Sequence, residues 1–166
     1  MRRVVLVDYD ARWPDAYAQE RELLVRALGP IVLDIQHVGS TAVPTAAAKP
    51  IIDILVGVAT VPIVETAVGA VVALGYEHEG EHGIAGRHYF RRLDRHVQVV
   101  EHAGRLWIET MLFRDFLRGN PEVVEDYVSL KRELARRHDR EAYTAAKTPF
   151  IVDVIARARA RLAGKA

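Results

Sequence analysis

Apolar and polar positions along the chain follow two periods, and the change of period divides it. Residues 4–7 form a short apolar segment closed by the turn-prone Asp8-Tyr9-Asp10. Over residues 15–29, Ala16, Leu23, Leu24, Ala27 and Leu28 recur at helical spacing, with Glu20, Arg21 and Arg26 on other faces. Gly29-Pro30 stops this helix. Residues 31–38 alternate instead: Ile31, Leu33 and Ile35 share one face and Asp34 and Gln36 the other, the period of a half-buried strand. Residues 51–56 are apolar except for Asp53, which predicts a central strand covered on both faces. A helix is expected over 61–74, capped by Thr60, with Pro62 in its first turn and Gly75 at its end. Residues 76–93 read as a strand pair joined by Gly-rich turns, and 96–101 as a further strand.

From residue 108 the β-rich runs cease. Asn120-Pro121-Glu122 starts a helix, with Asn as the cap and Pro in the first helical position. Val123, Tyr127, Leu130 and Leu134 then form one apolar stripe. A last helix carries Tyr143, Phe150, Ile151, Val154, Ala158 and Leu162, and Thr148-Pro149 must kink or restart it. The prediction is a single α+β domain: a mixed sheet core flanked by helices over 1–107, and a helical region over 108–166.

Composition narrows the function. At 166 residues the chain buries enough surface to fold without disulfide or metal, and with no cysteine it has no thiolate zinc site or cysteine nucleophile. Lys plus Arg (23) nearly equals Asp plus Glu (22), so no overall field argues for nucleic acid, and no basic stripe is present. The tail residues Arg157, Arg159, Arg161 and Lys165 read as a solvated helix face. No apolar run approaches the ~20 residues of a membrane span. The N-terminal apolar run is below the ~7–15 residues of a signal-peptide core, so a cytoplasmic location is expected. The oligomeric state is left open.

Chemistry concentrates in His37-Val38-Gly39-Ser40-Thr41-Ala42-Val43-Pro44 and Lys49-Pro50-Ile51-Ile52-Asp53-Ile54. A strand ends, a Gly-Ser pair follows at once, and a second strand carries a carboxylate in its apolar interior. Glycine lets backbone approach a ligand closely, and Ser40 and Thr41 add donors where phosphate binds well. A buried carboxylate is costly unless paired, hydrogen-bonded or bound to metal, so Asp53 needs a partner.

These features resemble the signature of the nucleotidyltransferase fold shared with DNA polymerase beta and, more narrowly, the GrpB family. The family's string His-Ile-Gly-Ser-Thr-Ala-Val-Pro, then Ala-Lys-Pro-Ile-Ile-Asp-Ile, appears almost letter for letter at residues 37–44 and 48–54. The likeness extends to Val7-Asp8-Tyr9-Asp10 with Trp13, to Phe113-Arg114-Asp115-Phe116-Leu117-Arg118, to Tyr127 with Lys131, and to Tyr143 with Lys147. It implies a nucleotidyltransferase-like fold, in some members fused to dephospho-CoA kinase. It further implies that Gly39, Ser40 and Thr41 hold the phosphate of a nucleotide or other phosphorylated small molecule. Asp53 would be the catalytic carboxylate and the Mg²⁺ ligand, and His37, Lys49, Arg114, Lys131 and Lys147 would line the ligand.

The chain departs from the superfamily pattern at two places. A nucleotidyltransferase usually presents a second carboxylate two residues on, which would share the face of Asp53, and here that place is Leu55. The family's histidine on a later strand aligns with Gln98. A catalytically inactive binding or accessory module, linked to coenzyme A metabolism, is the alternative.

Gly39-Ser40-Thr41 could be only a turn and helix cap, Asp53 a structural carboxylate paired with Lys49 or Arg114, and His37 a core histidine bonded to backbone. The Tyr/Lys pairs, four apart, each share a helix face. His78, His82, His88, His96 and His102 match no zinc spacing, and most are expected at the surface.

Overall fold

The computed structural model describes residues 4–164, without the side chains of Arg140 and Glu141. The elements run α1 (Trp13–Leu28), β1 (Val32–Val38), β2 (Ile52–Val58), α2 (Glu65–Val72), β3 (Glu77–His78), β4 (Arg87–Arg92) and β5 (Arg95–Glu101). Four helices follow: α3 (Arg105–Arg118), α4 (Pro121–Arg137), α5 (Arg140–Ala146) and α6 (Thr148–Ala163). The predicted α+β class, a mixed sheet flanked by helices with a helical C-terminal region, is what the chain forms. No helix among the described residues is long and apolar enough to cross a membrane.

The five strands lie in the order β1-β2-β5-β4-β3, with β2 and β5 parallel and every other pair antiparallel. Alternation along β2 decides the layering. Ile52, Ile54, Val56 and Val58 point to the face covered by α1 and α2, where they join Leu24, Leu28, Val68, Val71, Phe90, Val97 and Val99 in the main core. Asp53, Leu55 and Gly57 point to the other face, where Leu55 packs with Val38, Val100 and Trp107 of α3. A third cluster ties Val43 and Ala46, just beyond the Gly-Ser turn, to Leu117, Val123, Val124, Tyr127 and Val154. The loop before β2 is thereby clamped to the C-terminal helices.

Several local expectations are corrected. Leu33 does not share the buried face of β1. Val32 pairs with Val58 but Asp34 with Gly57, and this bulge turns Leu33 out to solvent. The helix expected over 61–74 starts only at Glu65 and without a Thr60 cap, because the Ile63 N–H donates to His88 Nε2 on β4 at 3.2 Å. Asn120 precedes α4 but does not cap it through its side chain, which donates instead to the Phe116 carbonyl at 2.6 Å. Glu20 is buried, not on a solvent face. Tyr76 Oη donates to it at 2.9 Å and Arg92 at 2.7 Å. At Thr148-Pro149 the chain restarts: α5, which carries Tyr143, ends at Ala146, and Pro149 takes a first-turn place where its missing N–H costs nothing.

Candidate functional site

Where α3 leaves the sheet's second face uncovered, a cleft of about 660 Å³ opens between the sheet and helices α3 to α6. Its floor follows from strand register. In the β2–β5 pair, Asp53 lies beside His96 and Leu55 beside Gln98; in the β4–β5 pair, Tyr89 lies opposite Gln98. Asp53, His96, Gln98 and Tyr89 therefore share one face, and all four line the cleft.

The wall nearest Asp53 is the Gly-Ser turn. Gly39 has φ of +70°, and a Cβ on it would stand 2.5 Å from Asp53 Oδ2, so both backbone conformation and close approach demand glycine. A single 3-10 turn over Ser40–Ala42 follows. Ser40 Oγ accepts from Lys131 Nζ at 3.0 Å. Thr41 is turned inward: its hydroxyl donates to the Ile51 carbonyl at 3.2 Å and meets His37 Nε2 at 3.0 Å. Those bonds occupy the Thr41 hydroxyl in holding the turn to β1 and to the start of β2.

Lysines make the opposite wall. Lys131 of α4 is 1% exposed, also donates to the Ala47 carbonyl, and sits 4.4 Å from the centre of the Tyr127 ring. Lys147 and Lys49 stand 4.7 and 5.1 Å from the centre of the Tyr143 ring. The two predicted Tyr/Lys pairs are thus formed, and α4 and α5 aim both at the cleft. Burial, aided by Lys147, Arg132 and Lys49, lowers the Lys131 ammonium to about 7. Burial and the charge of Lys49 lower Lys147 to about 8, against the opposing pull of Asp53. Burial likewise pushes the Tyr143 phenol up to about 12.

Of the residues singled out in the sequence, Gly39, Ser40, Thr41, Lys49, Asp53, Lys131 and Lys147 come together here. Two do not. Arg114 does not reach toward the cleft; it donates to Gln36 Oε1 at 2.8 Å and the His37 carbonyl at 3.0 Å, and pairs with Asp115 at 2.7 Å. The side chain of His37 alternates to the α1 face, where it stacks on Tyr17 with ring centres 4.9 Å apart. Both line a separate cavity.

The partner of Asp53 is neither Lys49 nor Arg114 but His96, whose Nδ1 is 3.2 Å from Asp53 Oδ1. The histidine of this site is therefore His96, not a position equivalent to Gln98, and it is no surface residue. Its signal was present as His96-Val97 at the start of a strand, two residues earlier than the alignment placed it. Gln98 instead accepts from Arg87 Nη1 at 2.7 Å, and Arg87 also donates to the Glu81 and His82 carbonyls. Arg87 and Tyr89 lie in a segment read as a strand pair, with no site residue assigned to it.

Asp53 is the residue that would hold a magnesium ion, and β2 carries no second carboxylate to hold another. Mg²⁺ is commonly held by one or two carboxylates with phosphate oxygens and water completing the shell. Asp53 supplies one carboxylate, while Leu55, where a second would stand, is 1% exposed within an apolar cluster. Among the described residues no group of three His, Cys, Asp or Glu could hold a metal.

Fold and site together define a small α+β protein with a mixed five-stranded sheet and a lysine-walled cleft at its Gly-Ser turn. The chain belongs to the GrpB family: a family model described as GrpB protein matches residues 3–157. It is 37% identical over 163 residues to glutamate-rich protein GrpB of Alkalihalophilus pseudofirmus, covering 92% of this chain and 94% of that one. It is 38% identical over 141 residues to UPF0157 protein YqkA of Bacillus subtilis, spanning 82% of this chain but 41% of YqkA. A dephospho-CoA kinase of Mycobacterium bovis is 29% identical over 184 residues, with 45% of its length covered. The crystal structure of conserved protein GrpB from Enterococcus faecalis superimposes with a TM-score of 0.89 at 32% identity, over 95% of this chain and 99% of that one.

Proposed function

We propose that the cleft binds a nucleotide or other phosphorylated small molecule, with phosphate between the Gly39-Ser40 turn and Lys49, Lys131 and Lys147. The observation that carries this reading is the convergence of Lys49, Lys131, Lys147 and Asp53 in one cleft with a turn that admits only glycine. Lys131 and Lys147, lowered by burial and by neighbouring cations, gain most from an incoming polyanion. Asp53, with Oδ1 held by His96, is the residue that would hold a single Mg²⁺ against the phosphate. A bound ion supplies positive charge and polarises a phosphoryl oxygen. The rest of the work is positioning and charge neutralisation by the chain's own groups: Lys147 and Lys49 at the cleft, Lys131 through Ser40, and Tyr143 as an apolar wall.

Nucleotidyl transfer by the nucleotidyltransferase-like route is the reaction we assign to this arrangement, with Asp53 as the carboxylate that would hold an ion and the lysines as the charge that neutralises phosphate. A second reading, a binding or accessory module without catalysis, is favoured by the burial of Leu55 in the ion-pair position and by the engagement of Gln98 with Arg87. Calorimetric titration with ATP, CTP, GTP and coenzyme A precursors, with and without Mg²⁺, tests binding. Saturable binding by one of them, strengthened by Mg²⁺ in the wild type and not in Asp53→Asn, is expected. No binding by any, with Asp53→Asn equally inert, would remove the reading. Product formation from the bound nucleotide would separate the transferase from the accessory module.

A further inference from the structure

A second cavity, of about 550 Å³, opens at the free edge of the sheet beside β1 and shares Thr41 with the cleft as a wall. Its character differs from that of the cleft. Its body is ring-like and apolar, set by Tyr9, Tyr17, Pro14, Pro44 and Pro121, and its charged groups are two guanidiniums, Arg114 and Arg118. No Asp or Glu is among the described residues that line it.

The two arginines have different partners. Arg114, 6% exposed, is spent on the fold: Asp115, Gln36 and the His37 carbonyl take its donors. Arg118 gives only its Nε–H, to the Ala42 carbonyl at 2.8 Å, and forms no ion pair among the described residues. Arg118 is exposed at the cavity's rim, and partial desolvation and the charge of Arg114 disfavour its cation against the opposing pull of Asp115. A guanidinium anchored through Nε leaves its terminal nitrogens as a fork, the geometry that grips a carboxylate or phosphate by two parallel bonds. At the same cavity wall Thr45, a β-branched residue, is held at φ of +69°. Such backbone strain persists only where the surroundings enforce it, and it clusters at ligand sites.

We infer that this cavity is a second binding site, for a small organic oxyanion carried on an aromatic body, with the terminal nitrogens of Arg118 gripping the anion and Tyr9 and Tyr17 bordering the ring. The site is independent of whatever occupies the lysine cleft. Its volume lies within the ~300–1,000 Å³ of small-molecule pockets, and its mostly apolar lining with one convergent cation is the usual composition of such a site.

Three probes separate the contributions: benzoate, phenyl phosphate and inorganic phosphate, each titrated into ¹⁵N-labelled protein and followed by amide chemical shifts. Saturable shifts are expected at Tyr9, Thr45 and Arg118 with benzoate or phenyl phosphate. The better of the two identifies carboxylate or phosphate as the natural group, and inorganic phosphate, lacking the ring, binds this pocket at least about tenfold more weakly. Arg118→Gln should weaken the aryl probe about tenfold or more, while Lys147→Met in the cleft leaves it unchanged. If Arg118→Gln does not fold, Arg118→Lys keeps the cation without the fork and should bind about threefold or more weakly. The inference is overturned if neither aryl probe moves these amides, or if the Arg118 variant binds as the wild type does. It is equally overturned if Lys147→Met abolishes the shifts. Failure of nucleotide binding in the cleft would leave all these outcomes untouched.

Discussion

His96 Nδ1 stands 3.2 Å from Asp53 Oδ1, across a parallel strand pair that makes the two residues direct neighbours. With the carboxylate accepting, the proton sits on Nδ1, and Nε2 is left buried without a partner among the described residues. The carboxylate is therefore held in one orientation by a residue that has nothing else to bond. His96→Ala should leave the fold intact, because Asp53 is still partly exposed, but free the Asp53 rotamer. Mg²⁺-dependent nucleotide affinity should fall about tenfold, the usual cost of losing such a support. Affinity without Mg²⁺ should not change. Equal loss in both conditions would show that His96 acts on the ligand directly.

Gly39 is the position where backbone and chemistry are least separable. Gly39→Ala imposes a Cβ on a left-handed residue and drives it into Asp53 Oδ2, so either the turn or the carboxylate must move. The cost should be about 2–3 kcal/mol in chemical denaturation. Asp53 should also lose its Mg²⁺ dependence in the titration. A variant of wild-type stability with Mg²⁺ response retained would mean that the turn and the strand carboxylate are not coupled.

The lysine wall predicts a proton signature. Lys131 at about 7 and Lys147 at about 8 are substantially neutral at pH 8, well below an ordinary lysine near 10.5. A phosphate between them favours the ammonium forms, so binding at pH 8 takes up protons, and affinity falls as pH rises from about 7 to 9.5. Calorimetry at pH 8 in buffers of different ionisation heat should return a positive proton uptake of up to about 1.4 per ligand. Uptake should drop by at least about half a proton in Lys147→Met. No buffer dependence would place the anion elsewhere.

Much of this site was legible in the sequence, and the part that was not has a physical reason. Gly39, Ser40 and Asp53 sit on consecutive elements, and a strand–turn–strand hairpin must bring them near one another. Lys131 and Lys147 were legible as neighbours of tyrosines because helical spacing is local. Arg114 and His37 were misplaced because only the face of a strand and the path of a helix decide which cavity a side chain enters. The β1–β2 register puts Val38 beside Asp53 and His37 on the other side. His96 was overlooked because its partner lies 43 residues away, and only the parallel pairing of β2 with β5 joins them. Arg87 and Tyr89 come from a segment whose turns were legible and whose inward face was not. Among the elements, the errors at Leu33, Thr60 and Asn120 are local too. A bulge, a histidine acceptor on another strand and a nearby carbonyl each outcompeted the propensity of the residue.

Burial of Glu20 should appear as a stability effect far from any ligand. Its two oxygens take Tyr76 Oη and the Arg92 guanidinium, and replacing it by Ala leaves a phenol and a cation short of their acceptor. Glu20→Ala should cost about 3 kcal/mol in urea denaturation, and Tyr76→Phe about 1 kcal/mol. The double variant should cost less than the sum, since the two changes remove one shared bond. Full additivity would mean that the bond contributes nothing.

His37 sets an acid limit on the fold. Burial holds its imidazole down to about 4, against 6.5 in an exposed histidine, with Arg118 and Arg114 adding to the depression and Asp53 opposing it. Between pH 6.5 and 4 the unfolded chain therefore binds a proton that the folded protein refuses, so stability contributed by the neutral ring is present above pH 6.5 and lost as pH falls toward 4. The loss should be of order 2–3 kcal/mol, read as a falling urea midpoint across that window. His37→Asn, which keeps an acceptor or donor for Thr41 and cannot titrate, should be less stable at pH 7.5 and should lose less on going to pH 4.5. Parallel pH profiles for the two proteins would assign the acid sensitivity to other groups. The same substitution would then exclude a titrating role for the ring that stacks on Tyr17.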